Sequence, residues 1–365
     1  MTTTRPRPGV PAGLRNTFAR WAERVTTPLL PNDYLDLFDP LRSPARLRGR
    51  ITAILPETRD AVTVVIKPGN GWRAHRPGQF LRLGVDVDGV RHWRCYSITS
   101  APGRADGCLS ITVKAVPGGI VSHHLVRHAA AGTIVSLDAA TGEFTLASPP
   151  PARILFLTAG SGITPVMGML RSPGLTTEHD VVVVHSAPTA GDVIFGGELR
   201  MLARTGRIRL VEIHTRDDGR LDPARLTGLV GNITDRSTWA CGPETFLTAI
   251  ESHWAAAGIT HRLRTERFRP APVATGEGGT VTFSATGTSV ETDGTRSLLE
   301  SGESAGVLMP SGCRMGICFG CVAPLRRGAV RDLRNGTLTT ATDDGDGVVI
   351  QTCVSAAAGD CDVAL

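Results

Sequence analysis

The chain has 365 residues, of which 41% are hydrophobic and 20% are charged, and this composition is typical of two or three folded domains. Its net charge of +5 is uneven, because residues 1–270 are basic and residues 271–365 are acidic. Nucleic acid is not expected as a partner, since it would need a continuous basic face. No apolar run reaches about 18 residues and no secretory signal is visible, which predicts a cytoplasmic protein.

A basic leader is predicted over residues 1–45. Within it Leu14, Phe18, Trp21 and Val25 recur at the spacing of one helical face, which predicts a short amphipathic helix. Such a helix can lie on a membrane surface or pack against its own protein, and the sequence leaves both interpretations open.

The next predicted domain, residues 46–148, is rich in short strands. Strand-like runs, separated by turns that contain Gly and Pro, occur at 51–55, 61–67, 79–85, 91–99, 109–116 and 133–137. One helix is expected over residues 120–130. Strands of this length and spacing predict a small antiparallel β-barrel.

From residue 149 to residue 270 the pattern changes to strands that alternate with helices. Continuous apolar runs predict buried strands at 154–158, 181–184, 208–213 and 239–240. Helical patterns lie between them, as at 166–170 and 198–204. This alternation predicts an α/β domain with a doubly wound parallel sheet.

The last predicted domain covers residues 276–365 and combines strands with one short helix. A hairpin is expected from strands at 281–284 and 289–291, followed by a helix near 297–304 and then by further strands. The expected fold is therefore multidomain, with an antiparallel β-barrel, an α/β domain and an α+β domain in that order.

The strongest chemical signal is a group of cysteines in this last domain. Cys313, Cys318 and Cys321 have the spacing C-x4-C-x2-C, and Cys353 follows further along the chain. This is the ligand set of a plant-type [2Fe-2S] cluster, whose iron ions need four soft thiolates. A zinc site is the alternative, but zinc sites favour paired C-x2-C units, and this loop has one such pair.

The C-terminal part resembles plant-type ferredoxins over residues 276–365, in strand order as well as in ligand spacing. The resemblance implies a β-grasp-like ferredoxin domain in which the four cysteines hold the cluster. Three other cysteines, Cys95, Cys108 and Cys361, are expected to be small hydrophobic residues of protein cores.

A second group of residues, on the fourth barrel strand, is suited to a flavin. Tyr96 offers a flat aromatic wall for the ring, Ser97 a hydroxyl for its N5 atom, and Arg94 a cation for its phosphate. Any strand could carry such residues, so this signal depends on what surrounds it.

The supporting signal is a glycine pair at the start of the predicted barrel helix, where Gly118, Gly119 and Ser122 lie. The free N–H groups of a helix N-terminus and the helix dipole together bind anions. This site suits a pyrophosphate and so favours FAD over FMN, without excluding FMN.

Two loops of the predicted parallel sheet carry a nucleotide-binding signal. The first lies between a buried strand and a helix and contains Gly160, Gly162, Thr164 and Pro165. It lacks the third glycine of the dinucleotide fingerprint. The second follows the strand at 239–240 and contains Cys241, Gly242 and Pro243.

In this order the motifs resemble the ferredoxin–NADP reductase family over residues 45–270. For the flavin, the resemblance implies that Tyr96 stacks on the ring, that Arg94 holds its phosphate and that Ser97 lies near N5. It implies a cradle for the pyrophosphate made by Gly118, Gly119 and Ser122. Glu266 and Phe268 match the place where the family's chain returns to the flavin.

For the nicotinamide nucleotide, the resemblance implies binding by Gly160, Gly162, Thr164 and Pro165. It places Cys241, Gly242 and Pro243 beside the nicotinamide. The residues expected to be catalytic are Tyr96, Ser97 and Cys241.

Preference for NADPH depends on the 2′-phosphate, for which Thr215 and Arg216 are the candidates. They follow the strand at 208–213, in a place that resembles the Ser-Arg pair of NADP-using relatives, and a guanidinium can hold a phosphate in bidentate fashion. Asp217 and Asp218 lie alongside and would repel the phosphate. NADPH is predicted, with a solvated charged loop as the alternative.

The fused order implies an electron path from NADPH through FAD and the [2Fe-2S] cluster to a one-electron acceptor protein. Residues 28–40, with this fusion order, resemble reductases that serve membrane-bound di-iron fatty-acyl desaturases. The prediction is a monomeric desaturase reductase with peripheral membrane contact. The alternatives are the reductase component of a ring-hydroxylating or other oxygenase, as in the phthalate dioxygenase reductase group, and a redox-sensing regulatory subunit without steady turnover.

Overall fold

The computed structural model describes residues 39–42, 47–268, 274–316, 318–342 and 347–365. The predicted leader helix lies outside the described residues. The described chain forms three sheets, each with its own hydrophobic core. Among these residues, no helix combines the length and the apolar character that crossing a membrane requires.

The first sheet is an antiparallel barrel. Its strands are β1 (Arg48–Thr58), β2 (Ala61–Pro68), β3 (Phe80–Val87), β4 (Val90–Ser97), β5 (Leu109–Lys114) and β6 (Ile134–Leu137). They follow the order β4-β3-β6-β1-β2-β5, and a bridge between Ile98 and Ile111 closes the ring. Helix α1 (Ile120–Arg127) packs Val121 and Leu125 into the core. All six predicted strands and the predicted helix are present.

The second sheet is parallel throughout. Its strands are β7 (Arg153–Ala159), β8 (Asp180–Ala187), β9 (Arg209–His214), β10 (Ser237–Cys241) and β11 (Leu263–Glu266). The helices are α2 (Ile163–Leu170), α3 (Gly196–Arg204), α4 (Leu226–Val230) and α5 (Glu244–Ala256). A separate hydrophobic core lies on each face of the sheet, as the continuous apolar runs require.

The strand order β11-β10-β7-β8-β9 sets the position of the binding edge. Strand β7 comes first in sequence, and the chain builds the sheet outward from it in one direction before returning to its other side as β10. Such a reversal opens a crevice beyond the carboxyl ends of the two strands, where ligands bind in open α/β sheets. In this chain those ends are Ala159 and Cys241.

The third sheet belongs to the C-terminal part and is mixed. Its elements are β12 (Gly279–Phe283), β13 (Thr288–Thr292), α6 (Leu298–Ser304), β14 (Val322–Asp332), β15 (Leu338–Ala341), β16 (Val348–Gln351) and β17 (Ser355–Val363). A capping box of Ser297 and Glu300 starts α6. The multidomain fold class is confirmed, and the cysteine-rich loop runs from α6 to β14.

The barrel and the parallel sheet are joined by directed contacts. The Arg171 guanidinium donates to the Thr99 carbonyl at 2.7 Å and to the Glu198 carboxylate. The Trp239 indole donates to the Thr145 carbonyl at 3.1 Å. These bonds hold α2, and with it the loop after β7, against the barrel.

Candidate functional site

A cavity of about 950 Å³ lies where the three parts of the chain meet. This volume is at the upper end of the range for small-molecule sites. Its walls come from β4, from the turn that leads into α1, from the end of β11 and from the cysteine-rich region. Of the predicted site residues, those on the cavity wall are Arg94, Tyr96, Ser97, Gly118, Gly119, Ser122, Thr164, Glu266 and Phe268.

Strand β4 brings three predicted flavin residues onto one wall. Burial raises the pKa of the Tyr96 phenol, so the ring is neutral and presents an apolar face. Ser97 is buried and stands opposite Phe80 of β3, and Arg94 donates to the Trp93 carbonyl at 2.8 Å. An aromatic face, a hydroxyl and a guanidinium therefore lie along four residues of a rigid strand.

The turn before α1 forms an anion cradle. Gly118 has a φ of +69°, and no described residue lies within 4 Å of its β-position, so its α-carbon borders open space. At Gly119 a β-carbon would lie 2.4 Å from the Ser122 hydroxyl, which itself donates to the Gly119 carbonyl at 3.1 Å. In the part of the chain that the structure describes, no side chain caps the first turn of α1, so its N–H groups are available to a phosphate.

The carboxyl group of Glu266, on the cavity wall, is a further feature that bears on whether a flavin fits the cavity. One of its carboxylate oxygens, Oε2, is buried without a partner among the described residues, and burial raises the pKa of the carboxyl to about 8. A buried neutral carboxyl needs a hydrogen-bond partner. It lies on the cavity wall with Tyr96 and the glycine cradle, and together these groups fit a flavin with a pyrophosphate.

The nucleotide loops meet at the carboxyl edge of the parallel sheet. Thr164 donates its hydroxyl to the Ser161 carbonyl at 2.9 Å, and both residues reach the cavity. Gly160 and Gly162 form the turn before α2, which has Pro165 in its first turn. Pro243 is the N-cap of α5. This edge adjoins the flavin wall.

Cys241 is fully buried at the end of β10, in register with Glu266 of β11. Burial raises the pKa of its thiol well above the usual value, which keeps the sulfur neutral. Gly242 follows, with its β-position 2.9 Å from the Phe246 ring. The structure therefore places Cys241 behind the cavity wall, where its thiol shapes the edge. Its catalytic role stays a prediction.

Thr215 and Arg216, the residues predicted to bind the 2′-phosphate, follow β9, which lies two strands from β7 in the sheet. Their backbone N–H groups donate to the end of β8 and the residue after it, from Thr215 to the Ala187 carbonyl at 2.9 Å and from Arg216 to the Pro188 carbonyl at 3.1 Å. The Asp218 carboxylate accepts the His214 N–H at 2.9 Å and is therefore engaged with the backbone. Arg216 is exposed on the same sheet edge as the nucleotide loops.

The cysteine loop folds its backbone around its own sulfurs. The Cys318 sulfur accepts N–H groups from Cys313 at 3.1 Å and from Gly320 at 3.3 Å, and the Cys313 sulfur accepts from Met315 at 3.3 Å. A β-carbon at Gly312 would lie 2.4 Å from the Cys318 sulfur, so glycine is required there. N–H groups aimed at sulfur are what thiolate ligands need.

The fourth cysteine joins this loop from the turn before β17. The Cys353 thiol lies beside the Cys321 sulfur, and its interaction with that sulfur lowers the pKa of Cys321. The charge of Cys313 acts on both of these sulfurs. Cys313, Cys321 and Cys353 are thus neighbours, with Cys318 on the same loop, and these four residues supply the soft thiolates that a [2Fe-2S] cluster requires. Cys361, by contrast, lies within β17 in the domain core, as predicted.

The contact between the barrel and this loop was not predicted from the sequence. Cys95, predicted to be a core residue, is only partly buried and lies beside Cys313. The neighbouring Cys313 sulfur and the burial raise the pKa of the Cys95 thiol. The loop residues Met315 and Gly320 in turn line the cavity beside β4. The predicted cluster ligands and the predicted flavin strand are thus in direct contact.

Comparison with known proteins agrees with this geometry. Residues 73–146 match the oxidoreductase FAD-binding domain, and residues 281–358 match the 2Fe-2S iron-sulfur cluster binding domain. The chain belongs to the ferredoxin-reductase-type flavoprotein oxidoreductases that carry a C-terminal [2Fe-2S] domain. Its cofactors are FAD and a [2Fe-2S] cluster, and its fold is that of enzymes that oxidise a nicotinamide nucleotide.

Among its relatives, an NADPH oxidoreductase of Mycobacterium tuberculosis is 50% identical over 346 residues, which cover 93% of this chain and 90% of the relative. The glycine betaine monooxygenase reductase subunit of Pseudomonas aeruginosa is 30% identical over 76% of this chain and 84% of its own. The structure of phthalate dioxygenase reductase superposes with a TM-score of 0.57 at 22% identity, over 88% of this chain and all of that one.

Proposed function

We propose that this protein is an NADPH-dependent reductase that passes electrons one at a time, through FAD and its [2Fe-2S] cluster, to an oxygenase. One observation carries the proposal. The strand that lines the flavin cavity adjoins the cluster loop, since Cys95 of β4 and the loop residues Met315 and Gly320 line the same cavity. Short separation is the main requirement for electron transfer, and this chain supplies it within one polypeptide.

The residues of the chain bind, orient and shield the reactants. Bound flavin supplies the chemistry, by taking a hydride from the nicotinamide and releasing its electrons singly to the iron centre. Tyr96 and Ser97 fix one face and one edge of the ring site, and the first turn of α1 neutralises the phosphates. Neutral Glu266 offers a proton at Oε2 on the nucleotide side. Burial of this wall excludes water from the transfer.

NADPH is the proposed donor. Arg216 is exposed on the sheet edge that holds the nucleotide loops, and the nearby Asp218 carboxylate already accepts the His214 N–H. The relative with 50% identity is described as an NADPH oxidoreductase, which supports the same choice.

An oxygenase component is the proposed acceptor because several relatives are described as reductase parts of monooxygenases, for glycine betaine and for 3-ketosteroids. The predicted desaturase partner rests on residues 28–40, most of which lie outside the described residues. It remains the second candidate, with peripheral membrane contact as its consequence. A monomeric state is proposed for either case.

Steady-state reduction of cytochrome c by NADPH tests the reductase activity. We expect many turnovers per flavin, with NADH at least tenfold less efficient in kcat/KM. Cofactor-loaded protein that is reduced once by NADPH and does not turn over would instead indicate a redox sensor.

The acceptor is tested by coupling the full chain to two candidates. One is a Rieske-type or haem oxygenase component with its substrate, and the other is a di-iron desaturase in phospholipid vesicles. The proposal expects product from the oxygenase in proportion to the NADPH consumed. Product from the desaturase alone would replace it with the second candidate. In that case, removal of residues 1–45 should weaken vesicle binding and desaturation together.

A further inference from the structure

Two side chains of the flavin-binding barrel reach the cluster loop together. Arg82 of β3 and Cys95 of β4 are directly opposite in the antiparallel register. Opposite residues of an antiparallel pair share one face of the sheet and lie side by side. The Cys95 thiol lies beside the sulfur of Cys313, one of the four cluster ligands, where its S–H can serve as a donor.

The guanidinium of Arg82 approaches the loop close to a second ligand, Cys318. At Gly312, the position that a β-carbon would occupy is 3.4 Å from Arg82 Nη2 and 2.4 Å from the Cys318 sulfur. The Arg82 guanidinium and the Cys318 sulfur therefore both approach the α-carbon of residue 312, where no side chain larger than the hydrogen of glycine fits. Arg82 Nε is buried without a partner among the described residues.

The surroundings of Arg82 hold its guanidinium in this place. Asp138 binds Nη1 at 3.0 Å, and the Trp93 ring lies under the guanidinium, 5.0 Å from ring centroid to Cζ. The side chain is 22% exposed, so water screens its charge only in part. An ion pair at one end of the fork and an aromatic ring beneath it direct Nη2 toward the loop.

We infer that Arg82 and Cys95 tune the cluster, by raising its reduction potential while the ferredoxin part is docked on the barrel. When one electron passes from the reduced flavin to the cluster, no bond breaks and no proton moves, and the cluster gains one negative charge. A fixed cation and an S–H donor at two ligand sulfurs stabilise that charge. Net charge and hydrogen bonds to sulfur are the terms that set such potentials.

This inference deepens the proposed function, since it concerns the flavin-to-cluster step of the same path, but it does not depend on the identity of the acceptor. Neither residue belongs to the ferredoxin part. The potential of the cluster is therefore set across the domain contact, and the docked arrangement favours acceptance of the electron from the flavin.

The test is a reductive titration of the full-length holoprotein, with the cluster followed by its paramagnetic signal and the flavin by its visible absorption. In Arg82→Gln we expect the equilibrium distribution of electrons between flavin and cluster to shift about tenfold toward the flavin. This corresponds to a cluster reduction potential lower by about 59 mV for a one-electron couple. Cys95→Ala should shift it severalfold in the same direction. Arg82→Lys and Cys95→Ser should each recover most of the change, because they keep the charge or a donor.

Arg91→Gln is the matched control, since Arg91 lies on the same barrel but is bonded to Asp86 and Ser136. It should leave the cluster potential unchanged. Wild-type potentials in both Arg82→Gln and Cys95→Ala would overturn the inference, as would an equal shift in Arg82→Lys, which would indicate packing rather than charge. Either result leaves the proposed function intact. That function fails separately, if the wild-type holoprotein does not turn over with NADPH.

Discussion

Gly162 packs its α-carbon against the carbonyl of Cys241, so closely that a β-carbon at residue 162 would lie 2.0 Å from that oxygen. Gly162 precedes α2 after β7, and Cys241 ends the adjacent strand β10. The contact joins the two loops at the point where the strand order reverses. A glycine is needed here for close approach rather than for an unusual backbone angle.

Gly162→Ala should therefore disrupt nucleotide binding with little effect on the other cofactors. We expect kcat/KM for NADPH to fall at least tenfold, with flavin and cluster content near wild type, because the clash lies at the sheet edge. Gly197→Ala is the control, since Gly197 lies in α3 of the same domain, is exposed, and has nothing within 4 Å of its β-position among the described residues. Equal kinetics in the two variants would show that the contact does not shape the nucleotide site.

The cysteine loop, strands β7 and β11 and Cys95 show which features of this protein the sequence can predict. The spacing of Cys313, Cys318 and Cys321 is local, and the apolar run of β7 is continuous, so both were recognised from pattern alone. Strand β11 was missed, since its residues Leu263–Glu266 include only one apolar side chain and the strand forms by pairing with β10. The role of Cys95 depends on how two distant parts of the chain dock. A pattern within one strand carries no information about that contact.

The burial of Glu266 leads us to expect that the folded protein loses stability as the pH becomes alkaline. Its folded-state pKa of about 8 lies above the ordinary value of 4.5, because burial disfavours the carboxylate. The unfolded chain thus releases the proton near pH 4.5 and the folded chain near pH 8. The stabilisation is complete below about pH 4.5 and is lost as the pH rises to about 8.

Melting temperatures of the holoprotein between about pH 5 and pH 9 check this expectation. Glu266→Gln, which cannot ionise, should lose less stability than the wild type over that range. Glu251→Gln is the control of opposite sign, since the bond from Arg267 lowers the pKa of Glu251, which therefore stabilises the fold at neutral and alkaline pH. Parallel profiles for the wild type and Glu266→Gln would mean that Glu266 stays ionised in the folded protein.

Arg216 predicts the choice between the two nicotinamide nucleotides. Its exposed guanidinium lies on the nucleotide edge, where a bidentate contact with the 2′-phosphate is possible. Arg216→Gln should raise KM for NADPH about tenfold and leave KM for NADH unchanged. Arg220→Gln, in the same loop, should alter neither constant by more than about twofold. If both variants raise KM for NADPH and NADH equally, the loop acts through its overall charge and does not bind the 2′-phosphate specifically.

Cys353 and Cys361 offer the sharpest test of the iron site, because both are buried cysteines near the end of the chain. Cys353 lies beside Cys321 of the ligand loop, whereas Cys361 of β17 pairs with β12 and β14 in the core. A cluster needs four thiolates, so Cys353→Ser should abolish the visible and paramagnetic signals of the cluster while FAD stays bound. Electron transfer from NADPH to ferricyanide should persist, and transfer to cytochrome c should fall by at least tenfold. Cys361→Ser should keep the cluster and lose only stability, and a cluster of normal yield in Cys353→Ser would remove this residue from the ligand set.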